Sequence, residues 1–242
     1  MSNLDLSLIL TCYNESKILE KSVEEIREVL DKTTYTYEII FVDDGSKDNS
    51  RELIKDICAK NPGLMRFSFH EKNKGRGQAV TTGINLAKGY VVGYVDTDLE
   101  TPAYYIPEFI YNVKNKYDVV TGLRFYSFSV SHLLRLITSL GYKLLFRKLL
   151  KSPIKDSETG CKFFNREKLL DVLPLLKANH WFWDTEVMVE SYKKGYKIYE
   201  MPTVFIRKID EKGSAVNLFK DTYTYFFQLI NYRKRLKKRG VL

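Results

Sequence analysis

The chain has 242 residues, 44% of them hydrophobic, enough to bury a full core as one domain or as a domain with an appendage. Its net charge of +9 suits an anionic partner such as nucleic acid, a phospholipid surface or a phosphorylated substrate. Cys12, Cys58 and Cys161 are far apart and odd in number, which excludes a disulfide framework or a cysteine metal spacing and points to a reducing compartment. No apolar run approaches the roughly 20 residues that cross a bilayer. Residues 1–5 lead directly into a strand, so no targeting segment is expected there.

Residues 5–11 read as a buried strand, stopped by Asn14-Glu15-Ser16, which offers a helix N-cap. Leu19, Val23, Ile26 and Leu30 then recur at helical spacing. Residues 37–42 form a second strand, and Asp43-Asp44-Gly45-Ser46 turns out of it into a helix with Leu53, Ile54, Ile57 and Cys58 on one face. Residues 64–69 are a third strand. The basic, glycine-rich Asn73-Lys74-Gly75-Arg76-Gly77 opens a helix over 78–88, and residues 90–95 are a fourth strand. Strand and helix thus alternate, which predicts an α/β domain with a mainly parallel central sheet and helices on both faces.

In such a sheet the loops at the carboxyl ends of the strands build the ligand crevice. Here those loops carry Tyr13, Asn14 and Glu15; Asp43 and Asp44; Lys74 and Arg76; and Asp96, Asp98 and Glu100. Carboxylates at alternate positions repel one another and call for a cation, and hard oxygen ligands suit Mg²⁺ or Mn²⁺ shared with substrate phosphates. A glycine-rich turn at a helix N-terminus beside Lys74 and Arg76 suits phosphate. Asp43 and Asp44 are placed to accept hydrogen bonds from a base or ribose. Asp43 is the better candidate, since Asp44-Gly45-Ser46 satisfies a turn by itself.

The second half is less regular. A helix is expected over 104–114, a strand over 117–122 leading to Arg124, and a long helix over 131–150. Residues 159–165 read as an edge strand, 181–194 as a helix, and 196–206, interrupted by Pro202, as a strand pair or a bent strand. A terminal helix over about 217–239 carries Tyr223, Phe226, Phe227 and Ile230, then the run Arg233-Lys234-Arg235-Leu236-Lys237-Lys238-Arg239. That pattern suits an interfacial anchor on anionic lipid, or a helix that packs on the domain. The expected division is a main domain over 1–209 and a loop with a basic amphipathic helix over 210–242. His70, His132 and His180 show no metal spacing.

Four ordered motifs, Leu10-Thr11-Cys12-Tyr13-Asn14-Glu15, Val42-Asp43-Asp44-Gly45-Ser46, Asn73-Lys74-Gly75-Arg76-Gly77-Gln78-Ala79 and Asp96-Thr97-Asp98, resemble the family-two glycosyltransferases of GT-A fold. Thr121-Gly122-Leu123-Arg124, the segment from Asp156 to Phe164, Trp183-Asp184-Thr185-Glu186 and Gly213-Ser214 bring the resemblance nearest to the dolichyl-phosphate mannose synthases and β-glucosyltransferases. The resemblance implies a UDP- or GDP-linked sugar donor held by Thr11, Tyr13, Asn14, Glu15, Asp43, Asp44, Lys74, Gly75, Arg76, Gln78, Asp96 and Thr97. It implies metal ligands Asp96, Asp98 and Glu100, Mg²⁺ or Mn²⁺ as cofactor, and Asp96, Asp98, Arg124 and Asp184 as catalytic residues. A polyprenyl (dolichyl) phosphate acceptor would meet Arg124, Arg135, Ser139, Lys162 and Lys212, the last standing in for a lysine that Ala215 replaces.

The expected activity is inverting transfer to that lipid phosphate, peripheral on the cytoplasmic face of a membrane and without nucleic acid. An anionic phosphate needs positioning and no base. A hydroxyl acceptor on a glycan or glycolipid would instead need a base, for which Asp184 and Glu186 are the candidates. A basic binding module for nucleic acid or membrane would leave the acidic rim without a purpose.

Overall fold

The computed structural model describes residues 4–126, 145–206 and 218–242. A seven-stranded sheet runs through it in the order β3-β2-β1-β4-β6-β5-β7. The strands are β1 (Leu6–Cys12), β2 (Tyr37–Asp43), β3 (Met65–Phe69), β4 (Val91–Asp96), β5 (Val119–Tyr126), β6 (Lys162–Asn165) and β7 (Ile198–Phe205). Helices α1 (Leu19–Leu30), α2 (Ser50–Lys60), α3 (Arg76–Leu86), α4 (Ile106–Asn115), α5 (residues 145–150), α6 (Arg166–Val172), α7 (Phe182–Lys193) and α8 (Leu218–Lys238) pack against it.

The period-two alternation of the central strands makes two cores. Leu6, Leu8 and Leu10 of β1 and Ile39 and Phe41 of β2 face a cluster completed by α1, α2 and α4. Ile9, Ile40 and Val42 face the other side, where α3, α6, α7 and α8 contribute Val80, Leu169, Val187 and Leu229. Buried on both faces, these strands read as continuous apolar runs, as parallel strands between helix layers do.

Several expectations change. Asn14 and Ser16 do not cap α1, whose N-cap is Ile18 without a side-chain bond. Instead the Asn14 side chain accepts from the Lys47 amide at 2.8 Å, and the Ser16 hydroxyl donates to Asp48 at 2.7 Å, so this loop is tied to the one after β2. The segment over 159–165 is not at an edge. Its strand β6 lies between β4 and β5, antiparallel to both, because its alternating residues can bury Phe163 in one core and Phe164 in the other. The edge on this side of the sheet is β7, one strand rather than a pair. Pro202 is exposed within it, and at an edge its missing N–H interrupts no ladder.

Arg124 lies inside β5 rather than beyond it. Of the long helix expected over 131–150, only 145–150 falls within the described residues, and it is helical. The tail helix packs on the domain through its inner face, where Leu229, Tyr232 and Leu236 are buried in the second core. Among the described residues, no helix is long and apolar enough to cross a membrane.

Phe163 is fully buried, with its ring 5.0 Å from that of Phe109. Truncating it opens a cavity beneath the only antiparallel strand among the described ones. Phe163→Ala is expected to cost about 3–5 kcal/mol, read as a lowered urea midpoint with unchanged slope.

Candidate active site

The four predicted rim loops do converge at the carboxyl end of the sheet, and buried hydrogen bonds hold them there. Asp44 does not serve its own turn. Its carboxylate crosses to the glycine-rich loop and accepts from the backbone N–H groups of Lys74 and Gly75, both at 2.8 Å, while His70 Nδ1 lies 2.7 Å away. The other His70 ring nitrogen is 3.0 Å from Thr82 Oγ1 in α3. Asp43, fully buried, accepts from the N–H groups of Gly45 and Ser46 and from Arg51 Nε at 2.6 Å. Both aspartates are thus occupied in shaping the loops.

Gly75 sits at φ +101°, and a Cβ there would fall 2.4 Å from the Asn179 carbonyl and 2.5 Å from the His180 ring. Only glycine lets this loop lie so close to residues 179–180. Gln78 donates its amide to the same Asn179 carbonyl at 2.9 Å. Lys74 is exposed on the loop, and Tyr13 is exposed after β1. Glu15 accepts the amides of Ile18 and Leu19 through its carbonyl, at the turn into α1. The Thr11 carbonyl accepts from the buried Thr97 hydroxyl at 2.9 Å, which fastens the turn after β4 to β1.

At the centre lies a chain of alternating charges. Arg76 donates from Nε to Asp96 Oδ1 at 2.8 Å and from Nη1 to Asp184 Oδ2 at 2.6 Å. Asp184 Oδ1 also accepts from Lys162 Nζ at 2.7 Å and from the Tyr94 hydroxyl at 2.6 Å. The guanidinium lies between the rings of Tyr94 and Trp181, 5.5 and 5.1 Å from their centroids. Burial opposes the ionised form of Asp184, but Arg76, Lys162 and Tyr94 outweigh it and hold the carboxyl below the usual carboxylate range. Burial likewise raises the Tyr94 phenol, helped by the Asp184 charge, so it acts as a donor. For Lys162 burial prevails over the pull of Asp184 and lowers its pKa.

This geometry revises three assignments. Lys162, fully buried on Asp184 and the Thr159 carbonyl, is an internal counter-ion and does not face an acceptor. Arg124 closes its fork on Asp156, with Nε and Nη2 each at 2.8 Å, so its bidentate partner is a carboxylate of this chain. Glu186 points away from the site, two residues beyond Asp184 on α7, and accepts from the Lys177 and Ala178 amides and from Arg235. Arg135, Ser139 and Lys212 lie outside the described residues.

Asp96, Asp98 and Glu100 line one small pocket with Thr101, Gly160, Cys161 and Phe205. Leu99, buried at φ +51°, makes the tight turn between them. A Cβ at Gly160 would fall 1.6 Å from Asp96 Oδ2, so the bare glycine leaves room for that carboxylate. Among the described residues no group of three or more His, Cys, Asp or Glu could by itself hold a metal ion. The carboxylate oxygens that line this pocket are hard donors, which suit a cation that takes one or two carboxylates and completes its shell with water and phosphate, as Mg²⁺ or Mn²⁺ does. The Cys161 thiol at the pocket wall is buried, and desolvation pushes its pKa up.

The site residues that sequence reasoning missed are Tyr94, His70 and Trp181. Tyr94 and His70 carry no signal in spacing. Trp181, 54% exposed beside Arg76, was legible only as part of a helix.

A crevice of this kind, at the strand ends of an α/β sheet with an acidic turn facing a glycine-rich basic loop, is that of a sugar-nucleotide transferase. The family described as Glycosyl transferase family 2 matches residues 7–173, and the chain belongs to that family. Within it the chain lies close to the dolichyl-phosphate glycosyltransferases. It is 28% identical over 255 residues to dolichyl-phosphate beta-glucosyltransferase of Dictyostelium discoideum, covering 95% of this chain and 76% of that protein. It is 30% identical over 220 residues to glycosyltransferase AglD of Haloferax volcanii, covering 89% of this chain but only 35% of the relative, so it spans about a third of that protein. Among solved structures, glucosyl-3-phosphoglycerate synthase from Mycobacterium tuberculosis, in complex with Mn²⁺, UDP and phosphoglyceric acid, superposes with a TM-score of 0.72 at 16% identity over 94% of this chain and 78% of that one. Mannosyltransferase PcManGT from Pyrobaculum calidifontis, with GDP-Man and Mn²⁺, gives a TM-score of 0.59 at 18% identity over 86% of this chain and 58% of that one. These likenesses establish the GT-A-type fold.

Because the folded Asp184 carboxyl has a lowered pKa, its contribution to stability is complete above the ordinary carboxylate value of about 3.9 and is lost as pH falls through the folded value. Asp184→Asn is expected to flatten the acid limb of urea midpoint against pH below about pH 4. An acid limb identical to that of the parent protein would contradict the assignment.

Proposed function

We propose that this chain transfers a sugar from a UDP- or GDP-linked donor to a polyprenyl-type phosphate in one inverting displacement, assisted by Mg²⁺ or Mn²⁺. The state of Asp184 carries this reading. An acceptor hydroxyl needs a base with a free lone pair and a pKa near the working pH. Asp184 is surrounded by Arg76, Lys162 and Tyr94, with its carboxyl held low, and Glu186 faces the tail. A phosphate monoester has a second pKa of about 6 and arrives as an anion that needs orientation alone. Relatives named as dolichyl-phosphate beta-glucosyltransferases and, from Aeromonas hydrophila, an undecaprenyl-phosphate 4-deoxy-4-formamido-L-arabinose transferase (33% identical over 51% of this chain) support the same acceptor class.

In this reading the donor diphosphate lies between the acidic pocket and the glycine-rich loop. A cation held by Asp98 and Asp96, with Glu100 beside them, would supply positive charge to the departing diphosphate. Neighbours solved with Mn²⁺ and UDP or GDP-Man support that donor and ion class. Arg76 Nη2 is buried and 2.6 Å from Asp96 Oδ1 but makes no hydrogen bond there, and a diphosphate oxygen would satisfy it. Lys74 adds charge at the mouth, and the N-terminus of α3 favours an anion. Asp184 and Lys162 keep the guanidinium oriented, and Thr97 and Thr11 brace the turn that bears Asp98.

The exposed outer face of α8 supports contact with a lipid surface as part of this reading. Phe226 and Phe227 are 43% and 45% exposed, and Lys234, Lys237 and Lys238 are exposed beyond them. Arg235 and Arg239 do not join that face, since both pair with buried carboxylates. Truncating the tail would therefore damage the core as well as any anchor. Reversing Lys234, Lys237 and Lys238 to Glu is expected to weaken binding to anionic liposomes at low salt by at least about tenfold while leaving thermal stability intact.

The decisive assay mixes the protein with Mn²⁺, polyprenyl phosphate in detergent and radiolabelled UDP-glucose, UDP-N-acetylglucosamine or GDP-mannose. Label should enter the organic phase only with metal and with Asp98 intact, and Asp98→Asn should lower the rate at least about a hundredfold. Donor turnover without lipid labelling would reassign the acceptor to a hydroxyl.

A further inference from the structure

The basic tail helix makes one contact that lipid binding does not require. Glu186 is 2% exposed, and its carboxylate joins two parts of the molecule. Oε1 accepts from Arg235 Nη2 of α8, and Oε2 accepts from the backbone N–H groups of Lys177 and Ala178, at 2.6 and 2.9 Å. Immediately beyond, the Asn179 carbonyl accepts from the Gln78 amide, His180 packs over Gly75, and the Trp181 ring covers the Arg76 guanidinium. Residues 177–181 are therefore held by Glu186 at one end and hold the glycine-rich loop at the other.

We propose that Arg235 is a positioning residue for the donor-phosphate loop, acting through Glu186 on residues 177–181. A buried carboxylate needs a cation or several donors to remain ionised in place. Arg235 is the cation on Glu186. Without it, the carboxylate loses its charged partner and turns toward water, which weakens its hold on the two amides. The loop that fixes Arg76 and Gln78 then loosens, although Arg235 touches neither.

The molecule contains its own control. Arg239, four residues further on and just past the end of α8, makes a close pair with buried Glu190, at 2.5 and 2.9 Å. Glu190 also accepts from Tyr232 of α8 at 3.0 Å, and no bond from it to residues 177–181 occurs among the described contacts. Removing Arg239 thus deletes the same charge and the same kind of ion pair without reaching the loop.

The test compares the full chain with Arg235→Met, Arg239→Met and Arg235→Lys by amide hydrogen exchange and by binding of UDP and GDP with Mn²⁺. Only the binding arm rests on the proposed function. Arg235→Met should raise exchange at the Lys177, Ala178 and Gln78 amides by about tenfold and weaken nucleotide binding by a similar factor. Arg239→Met should leave those amides and the affinity at parent values while lowering the melting temperature, and Arg235→Lys should recover most of the loss. Should Arg235→Met fail to fold, Glu186→Gln, which removes the charge and keeps the volume, is expected to loosen the same amides. Equal protection in Arg235→Met and the parent, or the same uniform loss in both Met variants, would overturn the proposal. Absence of nucleotide binding by the parent protein would count against the donor reading, and the exchange arm would still decide the clasp.

Discussion

The structure depends on a carboxylate that has no contact with bulk water. Asp184 sits at the first turn of α7 and gathers a lysine from β6, a tyrosine from β4 and an arginine from the start of α3. Burying such a charge costs several kcal/mol unless it is surrounded by donors, and here every lone-pair direction that matters is answered. The consequence reaches Arg76. With one arm on Asp184 and another on Asp96, its guanidinium is held in the plane where a diphosphate would be received, before any ligand arrives. In the proposed reading the donor side of the site is thereby preorganised, which is where electrostatic stabilisation gains most of its effect.

Helix α7 has carboxylates facing two ways. Asp184 faces Arg76, Lys162 and Tyr94, while Glu186 and Glu190, one turn apart, look toward α8 and meet Arg235 and Arg239 at the same spacing. Ten of its twelve residues are buried, so the helix has no solvent face on which those acids could be hydrated. The basic tail is therefore partly an internal component of the fold. Its remaining lysines lie on the far side, and the helix can present charge outward while neutralising acids inward.

Much of this was legible in the sequence because βα units put consecutive loops at one end of a sheet. Once the alternation was read, Asn14, Asp44, Arg76 and Asp96 had to be neighbours. Legibility stopped where partners are distant in the chain and lack a repeating pattern. The Glu186–Arg235 pair is separated by 49 positions, and the pattern of α8 reads equally as anchor or as packing helix. Lys162 was legible as a cation near the site, but its direction depends on β6 lying inside the sheet, and a four-residue apolar run does not reveal that. Tyr94 reads as one more apolar strand residue until its hydroxyl meets Asp184.

The interior position of β6 has a further consequence. The strands that carry the four rim loops, β3, β2, β1 and β4, are joined to β5 and β7 through this one short antiparallel strand. Its register is therefore the ruler that sets the distance between the two halves of the crevice. In a strand flanked by apolar cores on both sides, Phe163 and Phe164 could exchange places at modest cost, and a slip by one residue would reverse every side chain. Lys162 forbids it. Opposite Tyr94 on one neighbour and Thr121 on the other, its ammonium meets Asp184 in only one alignment, and in any other a lysine would be buried without an anion. The residue that neutralises the site also sets the alignment of its two sides.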